Sequence, residues 1–109
     1  LYHGARTGWT SLRVRWRRDH VIVAGLGRMG TSLALRFAEQ GLPVIAIERD
    51  EAMPGVELAR AQGIPVVIGD ARFLGTLRAA GLDRARWVVA ICGTTGANIE
   101  ILVSCLESK

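Results

Sequence analysis

Two cysteines, two histidines, one tyrosine and a single lysine are all that 109 residues offer of several side chains that most often do chemistry. Cys92 and Cys105 stand thirteen positions apart with neither a CxxC nor a neighbouring histidine, which excludes zinc-ligand spacing and a dithiol redox motif. Reduced, buried thiols in a cytosolic protein are the simpler reading. His3 and His20 have no partner at a catalytic spacing, Tyr2 is the only tyrosine and Lys109 the only lysine, so no acid–base pair is visible. Long apolar runs are missing too, since VIVAG and WVVAICG fall far short of the ~18–20 residues a membrane span needs. Nor does the N-terminus have the order of a secretory signal, because its arginines are interleaved with apolar residues instead of preceding them.

What is present is an apolar half and an uneven charge. Residues 1–18 hold five arginines and no acid, whereas residues 19–109 hold nine basic and ten acidic groups. The formal charge of +4 therefore belongs to a basic N-terminal tail over residues 1–19, followed by a nearly neutral domain over residues 20–109. That length suits one core without a second lobe, as in a module or a fragment.

From His20 onward, strand, glycine turn and helix repeat. Residues 21–24 form a continuous apolar run, as a strand buried on both faces should. The helix after it carries Met29, Leu33 and Phe37 at i, i+4 and i+8 and meets Gly41 at its end. PVIAI, residues 43–47, is a second buried strand. Pro54 suits the first turn of a second helix that carries Val56 and Ala59 and runs to Gly63. IPVVIGDA supplies a third strand and its exit loop, and Leu74, Leu77 and Ala80 give a third helical stripe before Gly81. WVVAIC is the fourth strand; Thr94 or Thr95 can cap a last helix through Ile99, Leu102, Val103 and Leu106. Short helical crossovers return each strand in the same direction, so the expected fold is α/β, a Rossmann-like doubly wound parallel sheet of order 3-2-1-4. It is expected to be truncated after the fourth helix, with further segments beyond Lys109.

In that frame GLGRMG gains meaning. Gly25 permits the turn out of the first strand, Gly27 lets backbone approach a pyrophosphate, and Gly30 lets the helix pack closely on the sheet. The helix N-terminus offers free N–H groups to phosphate, and Arg28 either pairs with that phosphate or is a solvated surface arginine. Glu48, eighteen residues after Gly30, ends the second strand, where a carboxylate accepts from ribose hydroxyls and repels a 2′-phosphate. This favours NAD(H) or an adenosine nucleotide over NADP(H), although Arg49 weakens the exclusion. Asp70 and Ala71 leave the third strand on the same edge, where Asp70 can face an adenine amino group or cap the third helix. Cys92, Gly93 and Thr94 leave the fourth strand across the crevice, where backbone groups can line the ribose and nicotinamide end.

The succession GLGRMG, IERD and GDA, then LRAAGLDRARWVVAICG and ANIEI, resembles the TrkA-N or RCK N-terminal domain of potassium channels and transporters. The resemblance covers residues 20 to about 105 and implies a regulatory domain on the cytoplasmic side of the cell membrane. Such domains bind NAD(H), ATP or ADP and act in dimers or larger homo-oligomers with a membrane-embedded channel or transporter subunit. By position, it implies that Gly25, Leu26, Gly27, Arg28, Met29 and Gly30 hold phosphates, Glu48 the adenine-side ribose, and Asp70 and Ala71 the adenine. The loop after the fourth strand is often acidic in the family and here reads CGTTGAN.

In the tail, Leu12, Val14 and Trp16 alternate with Arg13, Arg15 and Arg17, a period of two that suggests an extended segment. Three uses fit: a linker at an anionic membrane surface, a packing segment, or, least expected, a contact with nucleic acid. For the whole chain, a ligand-sensing regulatory domain leads. The alternative is the cofactor-binding half of an NAD-dependent oxidoreductase; a third is an interaction module with a degenerate site.

Overall fold

The structure, a computed structural model, describes Val14 and residues 17–108. Four strands alternate with four α-helices among these residues: β1 (Val21–Ala24), α1 (Arg28–Glu39), β2 (Val44–Glu48), α2 (Pro54–Ala61), β3 (Val66–Ile68), α3 (Leu74–Ala79), β4 (Trp87–Ala90) and α4 (Thr95–Glu107). A 3₁₀ turn, Leu82–Arg84, lies between α3 and β4.

The strands form one sheet of order β3-β2-β1-β4, every pair parallel. Register places Ala24 beside Ile47 on one side and Ala90 on the other. Thus the C-terminal ends of β1, β2 and β4 share one edge. β1 and β2 are buried throughout, which explains their unbroken apolar runs. Their side chains alternate between two clusters: Val21, Val23, Val44 and Ala46 pack with Ala34 of α1 and Val56 and Ala59 of α2. Ile22, Ala24, Ile45 and Ile47 pack on the other face with Leu77 of α3 and Ile101 of α4. Gly41 ends α1 at φ 82°, its N–H reaching Ala38 O while Leu42 N–H reaches Phe37 O, a left-handed stop that a side chain would strain.

Two helical stripes differ from the periodicity. Met29 is 67% exposed, because α1 begins only at Arg28 and its first turn stands above the sheet edge; Gly30, Thr31 and Ala34 are the buried positions. In α4, Ile101 is fully buried, whereas Ile99, Leu102, Val103 and Leu106 are exposed. The helix is apolar around most of its girth, so apolarity alone did not identify its inner face. β4 is a half-exposed edge strand.

Val14 is helical and buried in the second cluster, against the extended conformation suggested by alternation in the tail. Its carbonyl accepts from Arg17 N–H at 3.1 Å and from Arg84 Nη2 at 3.1 Å. Leu12, Arg13, Arg15 and Trp16 lie outside the described residues.

Candidate functional site

The loops leaving all four strands meet around one cleft of about 630 Å³, within the range of small-molecule sites. It spans the boundary between β1 and β4, where the sheet order reverses and helices leave on opposite faces. Gly25, Gly27, Arg28, Met29 and Gly30 line it from the first loop, with Glu48, Asp70, Ala71, Cys92 and Gly93 from the other three. Thr94 lines it too, so eleven of the twelve residues singled out from sequence are brought together.

Leu26 is the one that is not. Its side chain is in the core, and its backbone N–H, one of the supposed phosphate donors, is spent on Glu48 Oε1 at 2.9 Å. The second oxygen of Glu48 accepts from Asp50 N–H at 2.9 Å. These two bonds hold a nearly buried carboxylate flat against the glycine loop. Each oxygen retains accepting capacity for a ligand hydroxyl.

The glycines divide their work. Gly25 sits at φ +110°, and a Cβ there would strike the carbonyl of Ile91. A Cβ on Gly30 would run into Gly25 O, so this glycine sets the approach of α1 to the loop. At Gly27 a Cβ would meet nothing within 4 Å. The space beside Gly27 is thus open cleft, the cradle a pyrophosphate needs. No side chain caps α1 and no acid stands in its first turn, leaving its leading N–H groups and partial positive charge directed to that space.

At the other end Asp70 does not cap α3, whose N-cap is Phe73. Its Oδ1 instead accepts from Arg72 N–H at 2.9 Å, and the Arg72 guanidinium grips both oxygens, Nη2 lying 2.6 Å from Oδ2. That side-chain bond holds the Asp70 carboxyl at about 2, well below its ordinary value. Arg49 approaches the same carboxylate at 3.8 Å. Three guanidiniums, Arg28, Arg49 and Arg72, therefore ring a cleft that contains two carboxylates. Arg72 escaped the sequence reading because nothing in GDAR announces that the arginine folds back on the aspartate.

Across the switch point, Cys92 N–H donates to Asn98 Oδ1 at 2.7 Å, tying the β4 loop to α4. Thr94 caps α4 by accepting from Ala97 N–H. Burial, reinforced by the negative Glu48 and Asp70, pushes the Cys92 thiol up, so it stays protonated. Among the described residues, no helix is long and apolar enough to cross a membrane.

Several known proteins are similar to this chain in sequence or in fold. Potassium channel protein 1 of Methanocaldococcus jannaschii is 25% identical over 92 residues, covering 84% of this chain and 28% of the channel. K(+) efflux antiporter 2, chloroplastic, of Arabidopsis thaliana is 34% identical over 81 residues, covering 74% of this chain and 7% of the antiporter. The chain thus spans less than a third of either relative. A crystal structure described as the NAD(P)-binding domain of an exopolyphosphatase-related protein from Archaeoglobus fulgidus shares the fold, with a TM-score of 0.72 at 23% identity over 84% of this chain and 68% of that one. The family model of the TrkA-N domain matches residues 21–109, and the chain, with its 3-2-1-4 sheet and its glycine loop between β1 and α1, belongs to the TrkA-N domain family.

Proposed function

We propose that this chain is a regulatory domain whose cleft binds NAD(H) or an adenine nucleotide and whose occupancy is read by a potassium channel or transporter on the cytoplasmic side of a membrane. One observation carries the reading: open space at Gly27 in front of the uncapped α1 terminus adjoins a carboxylate fixed by Leu26 N–H. An anion cradle and a hydroxyl acceptor side by side match a phosphate joined to a ribose. Channel and antiporter relatives support the membrane partner, and the NAD(P)-binding neighbour supports the ligand class.

The residues divide the task by chemistry. Arg28 and the leading N–H groups of α1 neutralise phosphate charge, and Glu48 accepts from ribose hydroxyls while repelling a 2′-phosphate. Asp70 and Ala71 border the adenine, with Cys92 and Gly93 lining the far half of the cleft. Bound nucleotide contributes an occupancy signal, and regulation requires that it bind two conformations unequally.

Titration calorimetry with NADH, NAD, ATP, ADP and NADPH tests this directly. The folded chain is expected to bind an adenine nucleotide and to take NADPH less well. Glu48→Ala should weaken binding about tenfold to a hundredfold, the worth of a hydrogen bond to a charged group. A folded chain that gives no heat with any of the five overturns the reading.

A further inference from the structure

Arg72 belongs to two structures at once. Its guanidinium grips Asp70 at the rim of the cleft, with Nε 3.0 and 3.1 Å from the two carboxylate oxygens. Its remaining nitrogen, Nη1, lies 3.8 Å from Glu100 Oε2 on α4, and its carbonyl accepts a 2.7 Å bond from Ser104 Oγ one turn further along the same helix. The Glu100 pair is partly exposed and contributes little stability by itself. Its geometry matters more: one residue ties the β3 loop to two successive turns of the helix that carries the exposed Leu102, Val103 and Leu106.

We propose that Arg72 is a positioning residue that transmits occupancy of the adenosine end of the cleft to α4. The inference rests on the nucleotide reading above and adds to it the route by which occupancy leaves the site. Asp70 presents few accepting positions, and Arg72 already uses both oxygens through its N–H, Nε and Nη2. An adenine amino group donating to the same carboxylate competes with the guanidinium. The ligand thereby has a contact that differs between two arrangements of the Arg72 side chain, the condition for shifting an equilibrium between them. Release of the fork loosens the hold on Glu100 and, through the Arg72 backbone, on Ser104. α4 then gains freedom at its middle turns while Asn98 keeps its first turn on the Cys92 loop.

Amide hydrogen exchange, with and without NADH, follows α4 directly, and calorimetry on the same samples reports binding independently. In the native chain NADH is expected to speed exchange several-fold over residues 101–106. In Arg72→Ala, exchange there should already be fast without ligand, and NADH should bind without changing it further. A purely structural Arg72 would shift exchange equally in the presence and absence of NADH. The double variant Glu100→Gln, Ser104→Ala leaves the grip on Asp70 intact, so it keeps the test decisive if Arg72→Ala does not fold; it should bind NADH and lose the response. Native chain that binds NADH with unchanged or slower exchange in α4 overturns the relay alone. Native chain that does not bind overturns the nucleotide reading and the relay together.

Discussion

Asp70 and Glu48 are both carboxylates at strand ends on one edge of a sheet, and their neighbours give them different characters. Glu48 is held by two backbone N–H groups and keeps its face to the glycine loop. Asp70 is held by a guanidinium that neutralises it. The place of Glu48 beside the glycine loop was legible from spacing, because a glycine loop and an acid eighteen residues later define a register, whereas the bond from Leu26 N–H was not, since that N–H was read as a phosphate donor. The second was not, because side-chain pairing two residues apart in a loop has no periodic signal. His20 was legible only as a residue without a catalytic partner. It is fully buried, with Nε2 2.8 Å from Ala80 O. Burial lowers its pKa from 6.5, with Arg84 and Arg17 acting the same way, against the Ala80 carbonyl and Asp19. The folded chain therefore binds this proton less readily than the unfolded one. The associated stability is complete above the unfolded pKa and is lost as pH falls through it toward the folded pKa. Urea unfolding midpoints should fall from about pH 7.5 to about pH 5.5, and His20→Gln should flatten that slope. An unchanged slope in the variant would assign the dependence to other groups.

At the level of elements, strands were easier to read than helices. β1 and β2 lie under helices on both faces, so continuous apolar runs identify them without ambiguity. A helix buries one stripe, and the stripe is legible only when the other faces are polar. α4 has apolar residues on several faces, so Ile99, Leu102, Val103 and Leu106 gave a plausible stripe although Ile101 is the one that reaches Ile22 and Ile45 in the core cluster. The difference is measurable. Ile101→Ala should cost about 2–5 kcal/mol of folding stability, the range for truncating a buried aliphatic side chain. Leu106→Ala, at a position 69% exposed, should stay within about 0.5 kcal/mol of the parent. Equal costs in denaturant unfolding would mean that α4 turns a different face to the sheet.

Across the whole molecule, the order of elements determines where function can lie. Parallel strands joined by helical crossovers send every strand's C-terminal end to one edge, and the reversal between β1 and β4 opens a crevice there. Alternation of short apolar runs with glycine-terminated helices was sufficient to expect this, down to the strand order. Regulation by a nucleotide is a statement about the crevice, and Gly27 separates it from a statement about folding. Its backbone has φ −71°, accessible to any residue, and a Cβ there meets only open cleft. Gly27→Val should therefore remain folded, at a cost of about 1 kcal/mol for replacing the N-cap glycine of α1, while its side chain fills the space proposed for phosphate. Calorimetric titration of NADH into the parent and into Gly27→Val, both shown to be folded, is the most direct measurement: binding to the parent and none to the variant is expected, and equal binding to both would contradict a phosphate site at this loop.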